Sequence, residues 1–370
     1  MRVAFTHAYC WPEVQRGGER LLHELSGAMA RRGHDVTVLS SSSQPSDTIE
    51  DGVRVLRLPS PSGEGLQQEY RFGKAVLVPL LRGRYDVVHS LGMFDASASI
   101  VAAAVHRRRR TVFTHLGIPL RAYYERQPDF RWHRFVAKHI DVFGCMSQHA
   151  ARMLEDGYGR PAARTPGGVD LGRFTMSRAR AERPTLLYAG ALTEPRKHVD
   201  DLLEALAILA RDMPDIRLRL VGTGDPASLI AAAPAAARER TEVLPRATTD
   251  LSAIYGDAWT TVLPSVSEAF GIVLLESLAC GTPIVVCNDS APPELVKPGV
   301  GALATPRDPV SLAEACRQAL ALAREPGIAE RCRAAAAPYD WDTSVAPAVE
   351  ALYQGHEQSG SRFDFDHQHS

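Results

Sequence analysis

Two glutamates, Glu268 and Glu276, stand eight positions apart in the run P-S-V-S-E-A-F-G-I-V-L-L-E-S-L-A-C-G-T-P-I-V-V over residues 264–286. Eight residues make a little over two helical turns, so a loop and the helix after it can bring both carboxylates to one ligand. Gly271 permits close backbone approach, and the amides from Ala269 to Val273 at the start of that helix form an anion site. An isolated pair at this spacing would read as a polar helix start with one solvated glutamate. The continuous run through Phe270, Gly271 and Ile272 into an apolar helix, followed by A-C-G-T-P-I-V, favours a ligand site. Lys197 is a second candidate. It follows Gly190, which ends a strand, and precedes an apolar helix, a setting that suits a phosphate-binding cation better than an ordinary surface lysine. His115, closing T-V-F-T-H, reads on its own as a hydrogen-bonded strand-end histidine.

The elements that must position these groups repeat twice. In the first half, β-branched runs at Arg2–His7, Asp35–Ser40, Val53–Leu58, Asp86–Ser90, Thr111–His115 and Asp141–Met146 alternate with helix-period stretches, the pattern of a parallel sheet wrapped by helices. Between the first two strands, Leu21, Leu22, Leu25, Ala28 and Met29 fall on one helical face that stops at Gly33. A polar stretch over Thr175–Pro184 reads as an interdomain linker. Strands then return at Thr185–Gly190, Ile216–Val221, Glu242–Leu244, Trp259–Leu263 and Pro283–Cys287. The Ala-rich segment Ala227–Arg240 reads as a helix broken at Pro234, and the last residues, 356–370, as a disordered tail.

A chain of 370 residues with 45% hydrophobic and 23% charged residues is globular and too long for one ordinary core. No apolar run is long enough to span a membrane, and the first residues move straight into a strand pattern without a signal-peptide layout, so a cytoplasmic protein is expected. Cys10, Cys145, Cys280, Cys287, Cys316 and Cys332 are scattered, with no C-x-x-C pair and no zinc-ligand spacing; buried, reduced thiols are expected. Residues 1–175 carry 24 Lys+Arg against 17 Asp+Glu, and the remainder 18 against 26. That asymmetry reads equally as a solvated surface and as a basic face for an anionic acceptor or a membrane, with peripheral contact at the inner membrane face as one outcome. H-R-R-R-R over 106–110 reads first as a basic helix end, R-W-H-R-F-V-A-K-H over 131–139 as an amphipathic packed helix, and D-F-D-H-Q-H over 364–369 as tail rather than metal site.

Taken together, these segments resemble the glycosyltransferase group 1 family, family 4 of the retaining GT-B enzymes. The resemblance rests on the glutamate pair, on G-A-L-T-E-P-R-K-H-V-D-D-L-L from Gly190, on V-G-T-G-D over 221–225, on G-G-V-D-L-G-R-F over 167–174 and on the Gly17–Gly18 pair, and it runs to about Trp341. It implies an α/β GT-B fold, two Rossmann-like domains with parallel sheets facing across a cleft. These would be an N-terminal acceptor domain (1–176), a C-terminal nucleotide-sugar domain (177–338) and a helix returning to the first domain (339–355). It further implies that Glu276 binds the ribose and Glu268 the transferred sugar. Lys197, with Arg196, would neutralise the diphosphate. Gly190, Gly222 and the Ala269, Phe270, Gly271 and Ile272 backbone would line the donor, and Gly17 and Gly18 would close over it. His115 would reach the sugar near its anomeric centre.

The activity so implied is retaining, metal-independent transfer of a hexosyl-type sugar from a UDP- or GDP-linked donor to a hydroxyl of a glycolipid, polysaccharide precursor or natural product, with no other cofactor and no nucleic-acid partner. Cations and helix-end amides aimed at a departing diphosphate lower the barrier without a metal. The chain departs from the family pattern at Ala191, where an arginine is usual, and at Gly167, where asparagine is common. Ala191 keeps open a non-catalytic sugar-nucleotide-binding or scaffold protein of the same fold. A nicotinamide oxidoreductase is disfavoured, because no G-x-G-x-x-G follows the first strand and no acidic residue closes the second at Ser40.

Overall fold

Strands buried on both faces need near-continuous apolar runs, and this chain supplies them in two sets. The computed structural model describes residues 1–14, 16–59, 65–106, 109–118, 125–126, 130–176, 179–245 and 250–355. The chain divides into two units, Met1–Gly168 with the segment from Trp341 onward, and Val169–Asp340.

The first unit runs β1 (Arg2–Thr6), α1 (Gly17–Arg31), β2 (Asp35–Ser42), β3 (Ser46–Glu50), β4 (Val53–Pro59), α2 (Leu66–Arg82), β5 (Val87–Ser90), α3 (Met93–Val105), β6 (Arg110–His115), α4 (Phe130–His139), β7 (Val142–Cys145), α5 (Gln148–Tyr158) and β8 (Ala163–Arg164). The sheet order is β3-β4-β2-β1-β5-β6-β7-β8, parallel except where β3 folds back on β4. Because β2 and β5 flank β1 on opposite sides, the carboxyl ends of β1 and β5 form the switch point at which such sheets open a crevice.

The second unit runs β9 (Thr185–Ala191), α6 (Val199–Leu209), β10 (Arg217–Thr223), α7 (Ala227–Ala232), α8 (Ala235–Arg238), β11 (Thr241–Leu244), α9 (Leu251–Asp257), β12 (Thr260–Leu263), α10 (Ile272–Ala279), β13 (Ile284–Cys287), β14 (Gly301–Ala304), α11 (Pro309–Leu322) and α12 (Ile328–Ala336). Its order is β11-β10-β9-β12-β13-β14, all parallel. The switch point here lies between β9 and β12. Leu186, Leu187, Tyr188, Ile284, Val285 and Val286 are fully buried in this sheet, and the Ala-rich segment breaks into α7 and α8 at Pro234.

Two expectations are corrected. The first unit ends at Gly168 rather than 176, and Thr175–Pro184 is no free linker. Just before this stretch the Val169 amide donates to the Tyr339 carbonyl at 2.9 Å, and Phe174 is buried. The Arg180 guanidinium donates to the Ala258 and Gly281 carbonyls at 2.6 and 3.0 Å. The stretch is thus laced onto the second unit. From Trp341 the chain belongs to the first unit again, ending in α13 (Ala346–Tyr353). All six cysteines are buried thiols, none of them in a disulfide. Among the described residues no helix is long and apolar enough to cross a membrane. The expected tail, with its D-F-D-H-Q-H cluster, lies outside the described residues, as do Arg107 and Arg108.

Candidate active site

In the second unit, the carboxyl ends of the switch strands β9 and β12 carry the residues singled out by spacing. Gly190 is the next-to-last residue of β9, and a short 3-10 turn, Pro195–Lys197, follows before α6. The loop after β12 is tied to that turn by the Val266 amide, which donates to the Arg196 carbonyl at 3.0 Å. This backbone link places Glu268 on the two cations. Lys197 Nζ donates to Glu268 Oε2 in a close ion pair, and an Arg196 terminal nitrogen lies 3.3 Å from the same oxygen. Arg196 Nε also pairs with Glu194. Lys197 and Glu268 are nearly buried, at 12% and 13% side-chain exposure, while Arg196 remains 40% exposed. Burial works to lower the Arg196 guanidinium, yet Glu268 and Glu194 outweigh it and hold its pKa above the ordinary value. Ala191 leaves no side-chain cation at that point, so Arg196 and Lys197 supply the local positive charge.

Gly271, at φ +94°, turns the chain into α10, and a Cβ there would approach Leu274 at 2.8 Å. Phe270 is buried against Tyr339, with ring centroids 5.8 Å apart, which fixes the entry to the helix. Ala269 and Ile272 flank these two at the helix start. Glu276 is buried one turn on, and its Oε2 accepts from the Tyr255 hydroxyl at 2.8 Å. Phe174 packs edge-on to Tyr255, and Arg333 donates to the Phe174, Leu171 and Ala279 carbonyls, each at 2.8 Å. The G-G-V-D-L-G-R-F segment therefore acts locally by bracing Tyr255 and the end of α10. Neither Tyr255 nor Arg333 was marked by sequence spacing, because their partners lie on separate elements far along the chain.

Gly222 has a backbone reason to be glycine. It sits opposite Gly190 in the β9–β10 register, and a Cβ would lie 1.5 Å from the Gly190 carbonyl oxygen. His198, Asp200 and Asp201 cluster closely enough to hold a metal ion, but Arg307 already lies 3.4 Å from Asp201 and 3.7 Å from Asp200.

In the first unit, Gly17 and Gly18 open α1, and Gly18 lies against the side chain just past β6, where a Cβ would meet Leu116 at 2.7 Å. His115 closes β6 and is buried; burial, with His133 nearby, lowers its pKa to about 4, so the ring is neutral near pH 7. Its Nδ1 faces the Gly117 carbonyl at 3.1 Å. Asp95, which no spacing had marked, starts α3 at the switch point and accepts from Thr6 Oγ1 at 2.5 Å and from the Gly92 amide at 3.3 Å. Burial pushes its pKa up to about 7.

Two α/β units with almost wholly parallel sheets are the architecture of the GT-B glycosyltransferases, and comparison with known proteins gives the class. The sequence model described as glycosyl transferases group 1 matches residues 183–321, and that described as glycosyltransferase family 4 matches residues 15–173. The chain belongs to this family. It is 31% identical to a D-inositol 3-phosphate glycosyltransferase of Geodermatophilus obscurus, over 90% of this chain and 84% of that protein. To a glycogen synthase of Mycobacterium tuberculosis it is 30% identical, over 93% and 92%. Among solved structures, sucrose-phosphate synthase from Thermosynechococcus elongatus superposes with a TM-score of 0.78 at 20% identity, over 96% of this chain and 98% of that one. Anabaena HepE in complex with UDP-glucose does so at 0.74 and 19%, over 96% and 100%.

Proposed function

We propose that the protein transfers a hexosyl-type sugar from a UDP- or GDP-linked donor to an acceptor hydroxyl, with retention of anomeric configuration and without a metal ion. The observation that carries this reading is the convergence of Lys197 and Arg196 on one point beside the start of α10. When the bond from the anomeric carbon to the diphosphate oxygen breaks, negative charge grows on the departing phosphate. Fixed cations and helix-end amides at that place stabilise it, which is the largest single effect such a site can supply. The acceptor oxygen bonds to the anomeric carbon on the face that the phosphate leaves, and its proton passes to a departing phosphate oxygen, so no enzymic nucleophile is required. Neutral His115 suits a hydrogen bond to a sugar hydroxyl better than general-base catalysis.

The named relatives act on an inositol phosphate and make a glycogen, which supports a polyhydroxylated acceptor; a glycolipid is included. The exposed Arg131, Arg134 and Lys138 of α4 would suit contact with an anionic membrane face from the cytoplasmic side. The test is a panel of UDP- and GDP-hexoses incubated with purified protein in EDTA, with donor loss and product configuration read by NMR. Donor consumption that survives chelation, retained configuration, and a fall in kcat of about a hundredfold for Lys197→Ala are expected. Activity abolished by EDTA and restored by magnesium, or an inverted product, would overturn the mechanism.

A further inference from the structure

Within the ion-pair cluster at the candidate diphosphate site the charges balance to zero. Two cations, Arg196 and Lys197, face two carboxylates, Glu194 and Glu268, and both cations reach the single oxygen Glu268 Oε2. Lys197 and Glu268 are nearly buried, so their attraction is screened less than that of a surface pair. An arriving diphosphate must compete with a carboxylate already seated on its cations. We propose that Glu268 is a stand-in for the donor diphosphate, an internal competitor that makes the site select a complete sugar nucleotide over a bare nucleoside diphosphate. This rests on the donor-site reading above and adds a selection rule to it.

The two ligands differ in what they offer the displaced carboxylate. A nucleoside diphosphate takes Lys197 and Arg196 and leaves Glu268 anionic, close to a second anion and stripped of its partners, which is repulsive in a poorly screened site. A sugar nucleotide takes the same cations but brings hydroxyl donors, and hydrogen bonds from hydroxyls to a carboxylate are charge-assisted. The displaced carboxylate is then satisfied. The same logic favours release of the nucleoside diphosphate once the sugar has gone, because Glu268 can return to Lys197. Glu194 has a different position in the set, since it touches only Arg196, the more exposed cation, among these groups. Neutralising it should help any diphosphate without regard to the sugar.

Calorimetry with UDP, GDP, UDP-glucose and GDP-mannose tests the rule on the full chain. Wild type should bind a sugar nucleotide more tightly than the corresponding nucleoside diphosphate. Glu268→Gln, nearly the same shape, should tighten UDP or GDP by about tenfold, as expected for removing one adjacent like charge. It should not tighten the sugar nucleotide, so the preference collapses. Glu194→Gln should tighten both ligands alike and leave the preference intact, and it separates loss of competition from a general gain in positive charge. Binding to wild type that Glu268→Gln leaves unchanged or weakens for the bare diphosphate would overturn the competitor role while leaving the donor site standing. Failure of all four nucleotides to bind wild type and both folded variants would overturn the donor-site reading and this inference with it.

Discussion

Asp95 starts α3 with its carboxyl fully enclosed, held by Thr6 Oγ1 and the Gly92 amide. Burial raises its pKa to about 7 from 3.8. The folded state therefore holds a proton that the unfolded chain gives up, and on account of Asp95 stability falls as pH rises from about 4 to about 7. Two buried histidines oppose it. Burial lowers His89 to about 3 and His115 to about 4, so the stability they contribute is present above the unfolded value of 6.5 and is lost as pH falls below it. An asparagine side chain in this place would mimic the protonated carboxyl and still accept both hydrogen bonds. Asp95→Asn should raise the melting temperature at about pH 8.5, where the ionised side chain is most costly, by a few degrees more than it does at about pH 5. An equal difference at both pH values would place the Asp95 pKa back in the ordinary carboxylate range. At this scale the sequence showed Glu268, Lys197 and Arg196, because residues close in sequence to a strand end announce themselves by spacing. It concealed Asp95 and the Tyr255–Glu276 contact, whose partners meet only once separate elements have packed.

Among the elements, the glycines divide into two kinds that sequence alone treats alike. Gly222 and Gly190 face each other across β9 and β10, and a methyl group at 222 would sit 1.5 Å from the Gly190 oxygen. Gly17 has nothing within 4 Å of the corresponding position and does not lie at positive φ. Gly222→Ala should force these strands apart at their carboxyl ends, with a loss of about 4 kcal/mol or more, or no soluble protein. Gly17→Ala should melt close to wild type, and any activity it loses then reports on a ligand approaching the start of α1. Similar melting temperatures for both variants would show that β10 can shift without cost. The central strands were readable because parallel strands covered on both faces are apolar throughout. The polar S-D-T-I-E of β3, the two residues of β8 and the small G-A-L-A of β14 carry no such signal. The unit boundary was misplaced for a related reason: the polar composition of Thr175–Pro184 suggests a linker, while hydrogen bonds from Arg180 to backbone carbonyls, and the burial of Phe174 just before it, hold this stretch down.

At the scale of the whole molecule, the chain leaves the first unit at Gly168 and re-enters it at Trp341. The returning segment is built into that unit. A Cβ on Gly168 would lie 2.5 Å from the Trp341 ring, Arg31 and Arg32 pair with Asp342 and Glu350 at 2.9 and 2.5 Å, and Trp341, Val345, Val349 and Leu352 are buried. Tyr353 completes a buried relay. Burial holds its phenol far above its ordinary pKa, so it remains protonated and can donate to His89 Nδ1 at 2.6 Å. The neutral ring then donates from Nε2 to Thr114 at 2.8 Å, and Thr114 to Thr165 at 2.8 Å. One direction of donation satisfies all four groups, and such a chain is costly to interrupt. Tyr353→Phe should lower the stability of the first unit by about 1–3 kcal/mol, since His89 Nδ1 is left buried with no donor. Ending the chain after Asp340 removes the relay, the ion pairs and the apolar contacts together, and should lower the melting transition of the first unit by far more or abolish it. Every contact named here lies within that unit. Calorimetry should accordingly show the transition of residues 169–340 staying in place, and hydrogen exchange should show protection lost at β5 and β6 but kept at β9 and β12. Parallel loss in both sheets would mean that the two units unfold as one, and that the returning segment stabilises the molecule through something other than its own unit.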